Sequence, residues 1–332
     1  METKFDIPIV LFIFKRKDTV LQIIEQLRII KPQKIYLIAD AGRNNEENLL
    51  VSECRKAVEK AIDWDCMLIK NYAVKNRGVH AQIGKGALWI FEKEDKAIFL
   101  EDDNLPAISF FEYCKCCLEK YEQDEDIFWI CGTNYLQKCN LANNVSVFKS
   151  KHLMPCGWAS WGDKFKKYYD VDLCMTDCND WEKQLSKKYS DHRLYVQQCR
   201  DIKAERRRRD SGERYRSWDY HMAFSIRMQN LWGIVPKYNQ IKNIGVDEFS
   251  THGGNSMNLE MTKRFCGINN YELDFPLKLP KAEDLVDIFD KEIGKIILYP
   301  FKARMISNLR EIFKLPDDVR LRHTIKYWLT KN

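Results

Sequence analysis

Adjacent carboxylates form the sharpest chemical signal in this sequence. Glu101, Asp102 and Asp103 directly follow the apolar run 96–100, which predicts a buried strand that ends in them. Carboxylates held side by side repel one another unless a cation lies close to them. Mg²⁺ and Mn²⁺ favour one or two carboxylates together with phosphate oxygens and water. The triplet therefore predicts a divalent metal site that is shared with a phosphate-bearing ligand.

Charged residues also follow the other predicted strands of the N-terminal half. Lys15 and Arg16 follow the first strand, the segment 40–43 follows the second, and the segment 75–78 follows the third. The carboxyl ends of parallel strands meet at one edge of a sheet, where ligands of such proteins bind. Cations beside carboxylates suit a metal–phosphate ligand, whereas the simpler interpretation is that strand ends are polar loops.

Hydrophobic periodicity predicts the elements that position these residues. Short apolar runs predict strands, and apolar residues at helical spacing predict the helices between them. The predicted strands are 7–14, 34–40, 66–72 and 96–100, and the predicted helices start at residue 18 or span 45–62 and 79–92. Strict alternation of this kind predicts an α/β fold, with a mostly parallel sheet covered by helices on both faces.

The second half of the chain has a less regular pattern. Strands are predicted at 127–132, at 145–149 and, once or twice, within 234–244. Helices are predicted at 180–185, at 192–205 and from residue 218, with a tryptophan-rich stretch at 155–162 before them. From about residue 281 the sequence becomes amphipathic and basic, which predicts a C-terminal helical extension.

Composition limits the class of protein. The 332 residues are 45% hydrophobic, so a large core can be buried, and 54 basic against 48 acidic residues give a net charge of only +6. That charge, without any module signature, excludes a dedicated nucleic-acid binder. The apolar run 7–14 is too short to span a bilayer, which takes roughly 18 residues, and charges flank it, so we expect a cytoplasmic protein. The twelve cysteines contain no CxxC pair, and no structural zinc is expected.

The acidic triplet resembles the DxD-type motif of nucleotide-sugar glycosyltransferases with the GT-A fold. The resemblance is strongest to bacterial surface-polysaccharide transferases that are distantly similar to the N-acetylglucosaminyltransferase I type. Other parts of that pattern occur in the same order, at 12–19, 38–43, 76–78, 157–161, 218–220 and 244–252. The matched segments extend over roughly residues 7–255.

The resemblance implies roles for residues at the matching positions. Asp103 would bind the Mn²⁺ or Mg²⁺ ion that bridges the donor diphosphate, and His252 would be a second contact to metal or diphosphate. Asp40 would read the uracil ring. The other predicted donor contacts are the cations and carboxylates at the strand ends: Arg16, Arg43, Arg77, Glu101 and Asp102.

Further residues resemble the acceptor side of the family. Asp219, at the start of a predicted helix, resembles the general base that deprotonates the acceptor hydroxyl, and its simpler interpretation is a helix cap. Trp158 and Trp161 resemble the acceptor-side motif, because indole rings stack on the apolar face of a sugar. Tyr220 offers another such ring. Core packing is the alternative for both tryptophans.

Together, these features predict that the protein is a metal-dependent, inverting glycosyltransferase. It would move a GlcNAc-, GalNAc-, Gal- or Glc-type sugar from a UDP-sugar to a glycan or lipid-linked acceptor in surface polysaccharide synthesis. One alternative is a sugar-nucleotide pyrophosphorylase, which is disfavoured because the segment 15–17 is basic where a glycine-rich phosphate loop would stand. The other alternative is a non-catalytic protein that binds a sugar or a nucleotide.

The domain organisation follows from the same assignment. Residues 1–132 would form the nucleotide-sugar-binding half of one GT-A domain, residues 133–280 its acceptor-binding and catalytic half, and residues 281–332 the basic helical extension. The extension either lies on an anionic membrane surface or packs on its own domain. The arginine run 206–209 is a solvated face, a loop that closes over the diphosphate, or a patch that attracts an anionic acceptor.

Overall fold

The computed structural model describes residues 5–142, 144–246, 256–285 and 288–312. Its strands are β1 Ile9–Ile13, β2 Lys34–Ala39, β3 Met67–Tyr72, β4 Lys96–Glu101, β5 Asn104–Pro106, β6 Ile127–Cys131, β7 Val147–Ser150, β8 Trp158–Trp161, β9 Trp232–Pro236 and β10 Ile241–Asn243. Its helices are α1 Lys17–Ile30, α2 Asn45–Ala61, α3 Gly86–Phe91, α4 Ser109–Lys120, α5 Gly162–Tyr168, α6 Trp181–Ser186, α7 His192–Asp210, α8 Trp218–Met228, α9 Glu260–Cys266, α10 Ile288–Ile297 and α11 Phe301–Ile312.

An eight-stranded sheet forms the centre of the molecule, in the order β3-β2-β1-β4-β8-β6-β9-β7. The strands β3, β2, β1 and β4 are parallel neighbours. The strand β8 runs antiparallel to both β4 and β6, and β7 runs antiparallel to β9 at the edge. The mostly parallel, Rossmann-like α/β architecture predicted from the sequence is thereby confirmed.

Alternation along β1 shows how the sheet divides the core into two layers. Ile9, Leu11 and Ile13 pack in one hydrophobic cluster with the apolar faces of α1, α2 and α4. Val10 and Phe12 point to the opposite face and pack in the second cluster with side chains of α3, α5, α8 and α10. Successive side chains of a strand point to opposite faces, so this central strand is buried from both sides.

Local structure departs from the sequence predictions in three places. The helix predicted at 79–92 begins with a π-helical turn, His80–Lys85, and becomes α-helical only in α3. The tryptophan-rich stretch forms the antiparallel strand β8, and α4 follows β5 where no helix was predicted.

The segment 234–244 contributes two strands, of which β10 pairs with β5 in a separate ribbon. That ribbon brings Asn243 opposite Asn104, beside the acidic triplet.

The two C-terminal helices differ in how they contact the rest of the chain. In α10, Phe289 and Ile293 are completely buried, and Asp290 forms an ion pair of 3.4 Å with Arg227 of α8. In α11, several large apolar side chains are exposed, with Phe301 at 69%. Within the described ranges, no helix combines the length and the apolar character that crossing a bilayer requires.

Candidate functional site

A cleft of about 890 Å³ opens beside the carboxyl ends of β1, β2 and β4. We call the residues that follow these strands and β3 the strand-end wall: Phe14, Lys15, Arg16, Asp40, Arg43, Asn76 and Glu101–Asn104. We call the residues contributed by α7, by the start of α8 and by the α10–α11 connection the helical wall: Gln197, Gln198, Asp201, Asp219, Tyr220 and Tyr299. The cleft lies where the rule for parallel sheets places a ligand.

Two residues of the acidic triplet are held by the first strand and its turn. The Asp102 carboxylate accepts a hydrogen bond of 3.1 Å from the Phe14 N–H, which ties the end of β4 to the end of β1. Asp103 forms an ion pair of 2.8 Å with Arg16 and accepts a hydrogen bond of 2.7 Å from Asn104 Nδ2. The predicted Arg16 and the predicted triplet therefore form one charged cluster.

The chain also approaches this cluster closely from the other side. Gly245 lies beside the Asp103 carboxylate, and its carbonyl accepts a hydrogen bond from Arg16 at 3.4 Å. A Cβ atom at this position would collide with the carboxylate, so a residue without a side chain is needed there. His252, predicted as a second metal contact, follows in the segment 247–255, outside the described residues.

Negative charge in the cluster exceeds what Arg16 balances. Burial raises the pKa of Glu101 well above its usual range, and the carboxylates of Asp103, Asp102 and Asp219 raise it further. Burial also raises the pKa of Asp103, against the opposing effect of Arg16. Repelling carboxylates in a partly buried site are a donor set that fits a hard divalent cation.

The described residues do not form a complete metal site by themselves. Among them, no group of three His, Cys, Asp or Glu side chains is arranged to hold an ion. Mg²⁺ and Mn²⁺ in phosphate-binding sites use one or two carboxylates, the phosphates and water, so an incomplete protein ligand set is compatible with such an ion.

Asp40 has a structural task in the strand-end wall. Its carboxylate accepts hydrogen bonds from the N–H groups of Ala41 (2.8 Å), Arg77 (2.8 Å) and Gly78 (3.0 Å), and one from Asn76 Nδ2 (3.1 Å). These bonds fix the loop after β3, and its role in reading a base stays a prediction. Arg77 contributes its backbone here, and its exposed side chain does not line the cleft.

Arg43 lies in the strand-end wall as part of a second charged group. Its guanidinium and its backbone N–H both donate to the Glu47 carboxylate, which also pairs with Lys15 at 2.8 Å. The Arg43 guanidinium, followed by Lys15, holds the pKa of Glu47 well below its usual range despite burial. Two cations share one carboxylate, so this group carries net positive charge beside the cleft.

Asp219 lines the same cleft as the triplet, in the first turn of α8. Its carboxylate accepts a hydrogen bond of 3.1 Å from the Tyr220 N–H. The N-terminal end of a helix favours a negatively charged side chain, so an acidic residue suits this position. Its electrostatic effect on Glu101 shows that the predicted base and the predicted metal-binding triplet are neighbours.

The predicted acceptor contacts of both tryptophans need correction. Trp158 is 1% exposed and stacks between Phe99 at 4.0 Å and Trp218 at 5.5 Å. Trp161 is equally buried, and its indole N–H donates to the Leu118 carbonyl at 3.0 Å. Neither lines the cleft. Both belong to the core because β8 is an interior strand with helices on each face.

The stack around Trp158 nevertheless bears on the site. Phe99 lies two residues before Glu101 in β4, and Trp218 directly precedes Asp219. The continuous aromatic packing from β4 through β8 to α8 therefore fixes the start of α8 against the end of β4. Trp158 is a positioning residue for the two acidic groups.

Asp201 and Tyr299 are lining residues that sequence patterns did not identify. Gln197 of α7 donates to the Ile297 carbonyl at 3.2 Å and accepts from the Tyr299 N–H at 2.8 Å, which fixes the α10–α11 connection in the helical wall. Asp201 lies one helical turn after Gln197. Helical spacing indicates that both share a face, but nothing local indicates that this face meets a segment about 100 residues away.

The arginine run lies away from the cleft. Residues 206–209 form the last turns of α7, and none of them is a lining residue. Arg209 pairs with Asp177 at 2.6 Å, and Arg208 pairs with Glu213 at 3.2 Å. Of the three interpretations of this run, the structure favours a solvated, ion-paired helix face.

Comparisons with known proteins give limited similarity. No protein-family model and no curated protein sequence matches the chain. A UDP-glucose pyrophosphorylase complexed with UDP-glucose is 10% identical with a TM-score of 0.36, over 71% of this chain and 92% of that one. An apo UDP-glucose pyrophosphorylase is 9% identical with a TM-score of 0.36, over 71% and 93%.

A further solved structure, 4-diphosphocytidyl-2C-methyl-D-erythritol synthase from Anaerococcus prevotii DSM 20548, is 10% identical with a TM-score of 0.30. That match covers 54% of this chain and 82% of the other. Similarity at these values carries no argument about the reaction of this chain. Its chemistry must be inferred from the side chains of the cleft.

Proposed function

We propose that this protein is a metal-assisted, inverting glycosyltransferase that uses a UDP-sugar donor. One observation carries the proposal: a carboxylate at the start of α8, Asp219, and the acidic triplet at the end of β4 line the same cleft. A base on one side and a site for metal and diphosphate on the other are the two groups that an inverting transfer requires.

The side chains have distinct tasks in this reaction. Asp219 accepts the proton of the acceptor hydroxyl while the hydroxyl oxygen forms a bond to the anomeric carbon of the donor. The bond from that carbon to the diphosphate oxygen breaks, and UDP leaves with the electron pair. Asp103, with Glu101 nearby, would hold Mn²⁺ or Mg²⁺, which supplies Lewis acidity toward the diphosphate. Arg16 and Arg43 place positive charge beside the phosphates and the nucleoside.

The charge of the cleft bears on the alternative, a sugar-nucleotide pyrophosphorylase. Among described residues, seven carboxylate side chains and four lysine or arginine side chains line the cleft. A pyrophosphorylase must bind a nucleoside triphosphate together with a sugar phosphate, and like charges repel both. A single diphosphate donor with a metal ion and an uncharged acceptor places less negative charge in this lining. Two of the matched structures are pyrophosphorylases, so the test below includes that activity.

The proposal also assigns a role to each part of the chain. Residues 1–132 supply the donor side, and residues 133–280 supply Asp219 and most of the helical wall. The C-terminal part 281–332 also contributes to the site, through Tyr299 in the helical wall. A glycan or lipid-linked acceptor, and work at a membrane surface through α11, are the remaining parts of the proposal.

Product analysis with purified enzyme tests the reaction. Each of UDP-glucose, UDP-galactose, UDP-GlcNAc and UDP-GalNAc is incubated with Mn²⁺ and a mixture of methyl glycosides, and released UDP is measured. We expect one donor to yield UDP and a disaccharide. Asp219→Asn should lower the rate about 10²- to 10⁴-fold and leave the thermal stabilisation by UDP unchanged. Asp210→Asn, at the exposed end of α7, is the matched control.

Two results would contradict the proposal. Pyrophosphate released from UTP and a sugar 1-phosphate, with no transfer to any glycoside, would identify a pyrophosphorylase. Stabilisation by UDP without turnover of any substrate, unchanged in Asp219→Asn, would identify a non-catalytic binding protein.

A further inference from the structure

Asp201 is an unusual carboxylate in the helical wall. It lines the cleft, and within the described residues it accepts no hydrogen bond and forms no ion pair. Among the described residues of the strand-end wall, Asp40 and Asp103 do have such partners. Its carboxylate faces the cleft, so a ligand bound there can supply the hydrogen-bond donors that the described residues do not.

The groups beside Asp201 are aromatic rings with hydroxyl groups. Burial, then Asp201 and then Asp219, raise the pKa of both Tyr220 and Tyr299 above the usual range. Both phenols therefore remain protonated and can donate hydrogen bonds, and both rings offer apolar faces. Gln197 fixes the backbone of Tyr299 at 2.8 Å, so the position of this ring relative to α7 is set by the fold.

The charge of this wall selects against an anion. Asp201 and Asp219 both line it, whereas Arg200 and Arg216, the cations that act on Asp201, are not among the lining residues that the structure describes. A phosphate or carboxylate group placed here would face two carboxylates at close range. Neutral hydroxyl groups would instead donate to them, and an apolar sugar face would stack on a tyrosine ring.

We propose that the helical wall binds an uncharged sugar ring of the acceptor, and that Asp201 is an acceptor-binding residue that accepts hydrogen bonds from its hydroxyl groups. The inference rests on the proposed function and narrows it, because it names a neutral glycan end as the substrate class. Asp219 keeps its task as the base, and the hydroxyl that reacts is a neighbour of those that Asp201 holds.

The electrostatics of the free protein agree with this assignment. Burial, followed by the Asp219 carboxylate, raises the pKa of Asp201 to about 7. The Asp219 carboxylate is thus close enough to Asp201 to act on it, and ligand hydroxyl groups that donate to both would relieve their repulsion.

The test measures binding separately from turnover. Saturation-transfer NMR with UDP and Mn²⁺ present compares neutral methyl glycosides with their matched uronates, such as methyl β-glucoside and methyl β-glucuronide. We expect at least one neutral glycoside to bind and its uronate to bind at least tenfold more weakly. Asp201→Asn should weaken the neutral ligand about tenfold, reduce the discrimination against the uronate, and leave the affinity for UDP unchanged. Asp210→Asn, on the same helix, should behave like the wild type.

Three results would overturn the inference: equal affinity for the two members of each pair, unchanged binding in Asp201→Asn, or no binding of any neutral glycoside to enzyme that binds UDP. Failure of the proposed function is recognised differently. In that case neutral glycosides bind through Asp201, but no sugar nucleotide is turned over with any of them. Unchanged UDP affinity in each variant shows that the protein is folded.

Discussion

Two carboxylates in the two walls of the cleft have very different surroundings. Asp40 in the strand-end wall is 6% exposed and accepts four hydrogen bonds from the protein. Asp201 in the helical wall accepts none from the described residues. The first carboxylate is part of the scaffold that shapes the donor side. The second has no donor among the residues that the structure describes, which is the property expected of a group that meets its partner in a substrate.

The largest expected effect concerns the scaffold carboxylate. Asp40→Ala leaves the N–H groups of Ala41, Arg77 and Gly78 without their acceptor, and each such group costs about 1 kcal/mol or more. We expect the free energy of unfolding to fall by about 3 kcal/mol and the stabilisation by UDP to be lost with the loop. Thermal unfolding with and without UDP measures both effects.

The control for this prediction is a carboxylate in an exposed ion pair. Asp63 pairs with Arg28 at 3.0 Å on the surface, and Asp63→Ala should leave the melting temperature nearly unchanged. If Asp40→Ala were as stable as this control, Asp40 would not be the anchor of the loop, and the contrast between the two walls would disappear.

Replacement of Asp201, in contrast, should increase the stability of the protein. The pKa of Asp201 is raised from 3.8 to about 7, so the folded protein keeps the proton more tightly than the unfolded chain. Such a group costs nothing below its unfolded pKa and destabilises the fold as pH rises through its folded pKa. Asp201→Asn removes this cost, and we expect a gain in stability that is about 2 to 3 kcal/mol larger at pH 8 than at pH 5.

Chemical denaturation at the two pH values measures this difference. Asp210→Asn, exposed at the end of the same helix, should show no comparable dependence on pH. A loss of stability in Asp201→Asn at pH 8 would mean that the carboxylate is a structural partner after all, and Asp201 would then resemble Asp40.

The sequence predicted the sheet and the strand-end wall because both depend on local patterns. Apolar runs locate β1 to β4, and the parallel topology then brings Arg16 and Asp103 to one edge without further information. Asp219, which was predicted from its resemblance to a motif of adjacent residues, also lines the cleft. These signals lie within about ten residues of the groups they position.

The helical wall could not be predicted in the same way. Asp201 and Tyr299 meet only through tertiary contacts between α7 and the α10–α11 connection. Trp158 was assigned to the acceptor because an aromatic residue after a glycine looks the same whether it faces a sugar or a core. Its burial depends on the position of β8 between β4 and β6, which the local sequence does not specify.

The smallest expected effect concerns the two C-terminal helices. Here the contrast is between the buried side chains of α10 and the exposed apolar side chains of α11. Truncation near residue 280 would remove the core residues Phe289 and Ile293 of α10 and therefore tests folding, not membrane binding. In α11, Phe301 is 69% exposed and Met305 is 46% exposed, and basic residues lie on the same helix. If this face lies on an anionic membrane, Phe301→Ser with Met305→Ser should lower the affinity for anionic liposomes about tenfold and leave folding intact.

Flotation with anionic liposomes measures that affinity, and Ile29→Ser is the matched control. Ile29 is 64% exposed on α1, so its replacement removes exposed apolar surface elsewhere on the molecule. Equal flotation of the α11 variant and the control would show that α11 does not contribute to membrane binding. The exposed face of α11 would then not help the protein to reach a membrane-bound acceptor. Tyr299, in the α10–α11 connection, would still line the cleft.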